Sequence, residues 1–301
     1  MRRASGFTLL EVLIAATIGV VLVTSAGELL VSARDWQRSE QAYSRGNDQA
    51  RLLRSLLGRA LRSAGDPGCH WDYRRNLTQT PVYTPQPPVG NPTDAATPSG
   101  SEALVIHHLR PLTQAMLPSA PSRGADLVID REHALAFGQP VVLAADAGAT
   151  CVVFYQSGYD AHTLYRGPGA ADDLDGGALN RVPEGGYWPF AGRVTLYVPE
   201  RTVFYVDDSV AGESKSLFRK RLSANNRREE LLVGVKALQT RYALRRTGDH
   251  GVDDWVGAAA VSDWHAVVGV RIHATLTPRP SAPANSMRSV EITQALRNGW
   301  R

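Results

Sequence analysis

The sequence predicts an α+β fold in which one long N-terminal helix packs on a mainly antiparallel β-sheet domain. Three observations carry that expectation. All 18 prolines lie at or after Pro67, so everything before it lacks the strongest helix breaker. Within that stretch an apolar run at 6–23, "GFTLLEVLIAATIGVVLV", gives way to an amphipathic stripe. Beyond residue 101 the chain breaks into short apolar runs separated by Gly, Asp and Pro, the pattern of strands and turns.

Composition narrows the classes. With 43% apolar and 21% charged residues the chain is globular rather than disordered. After residue 31 no stretch approaches the roughly 18 apolar residues of a spanning helix, which excludes a polytopic membrane protein. The 33 basic and 29 acidic residues are interspersed along the chain. A net charge of +4 in that pattern gives no phosphate-binding track, so nucleic acid is not an expected partner. The most basic stretch, "LFRKRLSANNRREE" (217–230), reads as a solvated loop or hairpin edge.

The helix is taken first. Its leader, "MRRASG" (1–6), has two arginines and no acid, which holds this end in the cytoplasm and places the rest across the membrane. An ordinary secretory signal has the same basic start and apolar middle, and Thr24 with Ala26 would serve as its cleavage site. That alternative makes the mature chain an exported periplasmic binding protein or enzyme. Glu11 weighs against it, because a charge in a spanning helix costs of the order of 2.5–3.5 kcal/mol at the centre, and less near the end. Cleavage between Gly6 and Phe7 would put a new α-amino group about one helical turn from that carboxylate.

Residues 7–31 are expected as the membrane or filament-core half of the helix and 32–65 as its amphipathic half. Leu29, Ala33, Trp36, Tyr43, Ala50, Leu53, Leu57 and Leu61 recur at spacings of three, four and seven, and arginines occupy intervening positions. "AGDP" (64–67) supplies a glycine cap and a stopping proline. A helix over 7–64 is roughly 85 Å long at 1.5 Å per residue.

The remainder, 66–301, is expected as a β-rich head. Irregular insertions fall at about 66–101 and 158–190, where Pro, Thr, Asn and Gly replace periodic apolar residues. Strands are expected at 103–109, 126–130, 140–145, 151–157, 193–199, 202–208, 265–278 and 288–298. Cys69 and Cys151 are too far apart for a CxxC motif. Outside the cytoplasm they would form a disulfide, worth about 3–4 kcal/mol by chain entropy; otherwise they are buried thiols. The eight histidines are scattered, and the adjacent His107 and His108 point to opposite faces of a strand. No catalytic motif is found, and neither catalysis nor a cofactor is expected.

Two groups of motifs resemble a known family. "GFTLLEVLIA" (6–15), after its basic leader, is similar to the class III signal of type IV pilins and of type II secretion pseudopilins. Further on, "LFRKRLS" (217–223), "EELLVGVKALQTRYAL" (229–244), "GDHGVDDW" (248–255), "DWHAVVGVRIHATL" (263–276) and "ITQALRN" (292–298) follow in the order of PilW-type minor pilins.

The resemblance implies cleavage after Gly6 by a prepilin peptidase, N-methylation of Phe7, and a role for Glu11 in registering the subunit in a filament. It implies a Gram-negative inner-membrane protein with a single span and a periplasmic head that enters the extracellular pilus. Its partners would be other minor pilins, the major pilin and the inner-membrane assembly platform, and it would initiate the filament and sit at its tip. A J-type pseudopilin of a type II secretion system is the nearest alternative. In the family the loop after "QTRYAL" often resembles a calcium loop. Here Asp249, Asp253 and Asp254 offer oxygens, but Arg245 and Arg246 repel a cation, and a polar hairpin turn is the expected reading.

Overall fold

A computed structural model describes residues 9–65, 87–95, 102–117, 126–145, 151–168, 179–182, 192–212, 214–222, 227–245, 252–277 and 287–296. Helix α1 runs without a break from Leu9 to Arg62. Its end is built as the sequence predicts. Ser63 and Ala64 close the last turn onto Arg59 and Leu61, and Gly65 takes a positive φ of 80°. The Gly65 amide then donates to the His107 carbonyl at 2.7 Å, tying the helix end to the first long strand.

The strands are β1 (Val89–Gly90), β2 (Ala103–Leu117), β3 (Leu127–Val128), β4 (Pro140–Ala145), β5 (Cys151–Tyr155), β6 (Thr163–Leu164), β7 (Gly192–Asp208), β8 (Lys215–Arg221), β9 (Arg228–Val233), β10 (Val235–Arg245), β11 (Val252–Val256), β12 (Val267–Leu276) and β13 (Arg288–Ala295). All their pairings are antiparallel. A seven-stranded sheet follows the order β1-β2-β7-β4-β5, with β8 and β9 added on the far half of β7. A second sheet has the order β11-β10-β12-β13, and β3 pairs with β6 apart from both.

The two expected strands at 193–199 and 202–208 are one. Pro199 and Glu200 read as a turn, yet they stay in register opposite Leu109 and His108. The chain instead divides inside 229–244, at Gly234, where φ is +87°. Gly234 carries the backbone from the first sheet to the second, donating to Lys215 and accepting from Thr277.

β2 and β7 form a ribbon that supports two hydrophobic clusters on one of its faces. Leu104 and Ile106 of β2 join Phe204 and Val206 of β7 in the first, while Ala115 and Leu117 join Val194, Leu196 and Val198 in the second. The parity change along β2 reflects a register shift between Pro111 and Thr113. One extra residue there keeps both apolar sets on one face of the ribbon. The first cluster also contains Leu53, Leu57 and Leu61 of α1 with Tyr242, Ile272 and Val290 of the second sheet.

Candidate assembly site

Along α1 the apolar stripe has two environments. Ala50, Leu53, Leu57 and Leu61 are buried in the first cluster, whereas Leu29 is 72% and Trp36 67% exposed, and Ala33 is exposed as well. The Tyr43 and Glu11 side chains, and Gly6 and Phe7 entirely, lie outside the described residues. The segment Ala16–Arg34 has a mean hydropathy of 1.7 and is long and apolar enough to cross a membrane, and none of it is buried in the chain. A bare apolar helix of this length needs lipid or other helices to cover it.

Polar contacts hold the lower half of the helix at one place. Gln49 Nε2 donates to the Val233 carbonyl at 3.0 Å, beside the Gly234 crossing. Arg288, on β13, donates to the Asn47 side chain, and Gly46 lies close against the same arginine. Between the sheets Glu102 Oε2 accepts from the Thr240 amide at 2.8 Å. Burial, with the Glu102 charge adding to it, pushes the Tyr242 phenol far above its ordinary value of 10.0. Its ring meets Trp264 edge-on at 4.9 Å.

A polar seam separates the two clusters on the ribbon. The Glu200 side chain is only 1% exposed and pairs with Arg110 at 2.6 Å and Arg221 at 3.7 Å. His108 faces Glu200 across the strands. Burial lowers the His108 pKa despite the opposing pull of Glu200, and Arg221, Arg110 and Arg219 lower it further.

Side chains standing in for backbone organise the outer lobe. The Asn180 amide both accepts from and donates to the Tyr155 backbone, so it occupies the edge of β5 as a neighbouring strand would. Gln156 does the same for Thr163 and Tyr165, and the His133 ring contacts the Thr163 carbonyl. None of these roles is visible in the sequence, where Asn180 reads as part of an insertion and Gln156 as part of the strand expected at 151–157, which ends at Tyr155.

The other expected residues are placed as follows. Cys151 is buried at the start of β5, and Cys69 lies outside the described residues. Asp249 also lies outside them. Asp253 and Asp254 belong to strand β11, paired with β10, rather than to a turn, and their side chains are not described. Among the described residues no three His, Cys, Asp or Glu side chains gather as a metal site.

Two matches complete the site. Residues 1–27 match the prokaryotic N-terminal methylation motif, and residues 203–295 match the family described as Type IV Pilus-assembly protein W. No individual curated protein and no solved structure matches the chain. An N-terminal methylation motif opening a long apolar helix, followed by an antiparallel sheet domain, supports a type IV pilus-related pilin. Within that class, residues 203–295 are similar to the PilW type. The matched domains are structural rather than catalytic, and the motif implies processing by a prepilin peptidase and assembly with other pilins. The PilW match begins in the far half of β7 and ends at the close of β13, so it spans β8 to β13 and leaves out β2 to β6.

Proposed function

We propose that the protein is a minor pilin that initiates a type IV pilus within a complex of minor pilins and takes a place at the filament tip. The observation that carries this reading is the continuity of one helix. It leads from the methylation motif, through a bare apolar half, to residues that share the head's main cluster. In this role 1–6 is a leader removed after Gly6, and Phe7 becomes the N-methylated terminus. Residues 7–31 span the inner membrane and later enter the filament core, where a neighbouring subunit neutralises Glu11. The half at 32–65 packs on the antiparallel sheet and carries the head, 66–301, in the periplasm and then on the extracellular pilus. Leu29, Ala33, Trp36 and Tyr43 contact neighbouring subunits, while Ala50, Leu53, Leu57 and Leu61 hold the head. Export makes a Cys69–Cys151 disulfide the natural state of the two cysteines, and Cys151 is already withdrawn from solvent.

Mass spectrometry of the mature N-terminal peptide, from membranes and from sheared surface filaments, tests the proposal. N-methylated Phe7 in both fractions is the expected result. The same terminus confined to the membrane would favour the related J-type pseudopilin of a secretion system. A soluble chain beginning near Gly27 would remove the pilin role.

A further inference from the structure

The solvent face of the lower helix is mostly cationic, with Asp48, one turn ahead of Arg51, as its nearest described acid. From Gln49 to Gly65 the sequence contains Arg51, Arg54, Arg59 and Arg62 and no acidic residue. All four arginines are exposed, and none has a hydrogen bond or ion pair among the described residues. At about 100° per residue Arg51, Arg59 and Arg62 fall within about 80° of one another, roughly opposite the buried Leu53, Leu57 and Leu61, with Arg54 on the flank. Arg51 with Arg54, and Arg59 with Arg62, stand three residues apart, a spacing at which like charges repel.

The stripe is also held in place. Gly58 lies in the helix interior, and the Arg62 guanidinium rests over it: a Cβ at Gly58 would come within 3.2 Å of Arg62 Nη1. A glycine in a helix interior is unfavourable. Here it lets a cationic side chain lie flat along the helix instead of extending into water.

We infer that this Arg51–Arg59–Arg62 stripe is a docking surface for an acidic face on a neighbouring pilin subunit of a different chain; the assignment rests on the pilin reading above. A second copy of this chain is a poor occupant, because its exposed helix would bring the same excess of arginines over the single Asp48. The membrane is a poor occupant as well. Arg51 lies about 25 Å along the helix beyond Arg34, where the apolar span ends, and charges are screened over about 8 Å at physiological ionic strength. An acidic protein surface lying alongside the helix would meet the whole stripe.

The test places a photo-crosslinking amino acid at Ser55, exposed between the arginines, in the full-length chain within pilus-assembling cells. Irradiation should give an adduct with another processed pilin, through a peptide containing Asp or Glu. Replacing the three arginines together (Arg51→Glu, Arg59→Glu, Arg62→Glu) should reduce the adduct at least about tenfold, and the corresponding Lys variant should keep it within about twofold. Protease resistance of the head checks that each variant is folded. No adduct, an adduct to phospholipid or to a second copy, or an adduct indifferent to charge reversal would each overturn the assignment. The N-terminal peptide from the same cells separates the two claims: processed Phe7 without an adduct removes only the stripe, whereas an unprocessed terminus removes the pilin role.

Discussion

At Gly234 the absence of a side chain decides where the chain can turn. A Cβ there would sit 2.5 Å from the Thr277 carbonyl oxygen, and φ is already +87°. Both effects oppose any L side chain, so Gly234→Ala should cost at least about 2 kcal/mol, read as a shift in the denaturant midpoint at unchanged slope. His108 sets a second expectation. Its folded pKa lies below 6.5, so the unfolded chain takes up a proton first as the pH falls. The stability that neutral His108 contributes is present above about pH 6.5 and is lost as the pH drops through the folded value. Denaturant melts between about pH 7 and pH 5 should therefore show falling stability, and His108→Gln should flatten that slope. Equal slopes in the two proteins would mean that the carboxylates, not this ring, govern the acid side.

Elements show where the sequence was legible. The stop at Gly65 and the bounds of β4 follow directly from their local residues. The Leu53, Leu57 and Leu61 row was equally plain, because a three-four spacing marks one face of a helix. The same spacing includes Leu29, Ala33 and Trp36, which the chain leaves bare, since periodicity identifies a face and not what covers it. The continuous β7 was hidden because Pro199 and Glu200 resemble a turn, and only pairing with β2 shows that they extend the strand. The Glu200 seam was hidden for a related reason: it joins β7 and its neighbour β8 to β2, which is remote in sequence. If the lower helix holds the head as proposed, its buried leucines carry much of the head's stability. Leu57→Ala should then cost about 2–5 kcal/mol in thermal or denaturant unfolding of the head. A change below about 1 kcal/mol would show that the helix contributes little to the fold.

Among the described residues, the bare half of the helix is separate from the positions that pack with the sheets. Up to residue 45 every described helix side chain lies open or nearly so, and the first buried position among the described residues is Gly46. A chain lacking residues 1–38 should therefore be soluble and melt within about 5 °C of the full-length protein in detergent. Aggregation or loss of a cooperative transition would show that the upper helix is needed to fold the head.

The two clusters on the β2–β7 ribbon also bear on descent. Only the first contains helix residues, while the second is built from β2 to β7 and lies almost wholly outside the stretch matched by the pilus-assembly family. Changes to this lobe that respect the ribbon leave the stretch matched by the family, and the helix that packs with it, unaltered. If the chain is the pilus subunit proposed, such a lobe is free to diversify at the pace of whatever it meets outside the cell, while the remainder keeps to the slower pace set by its fellow subunits.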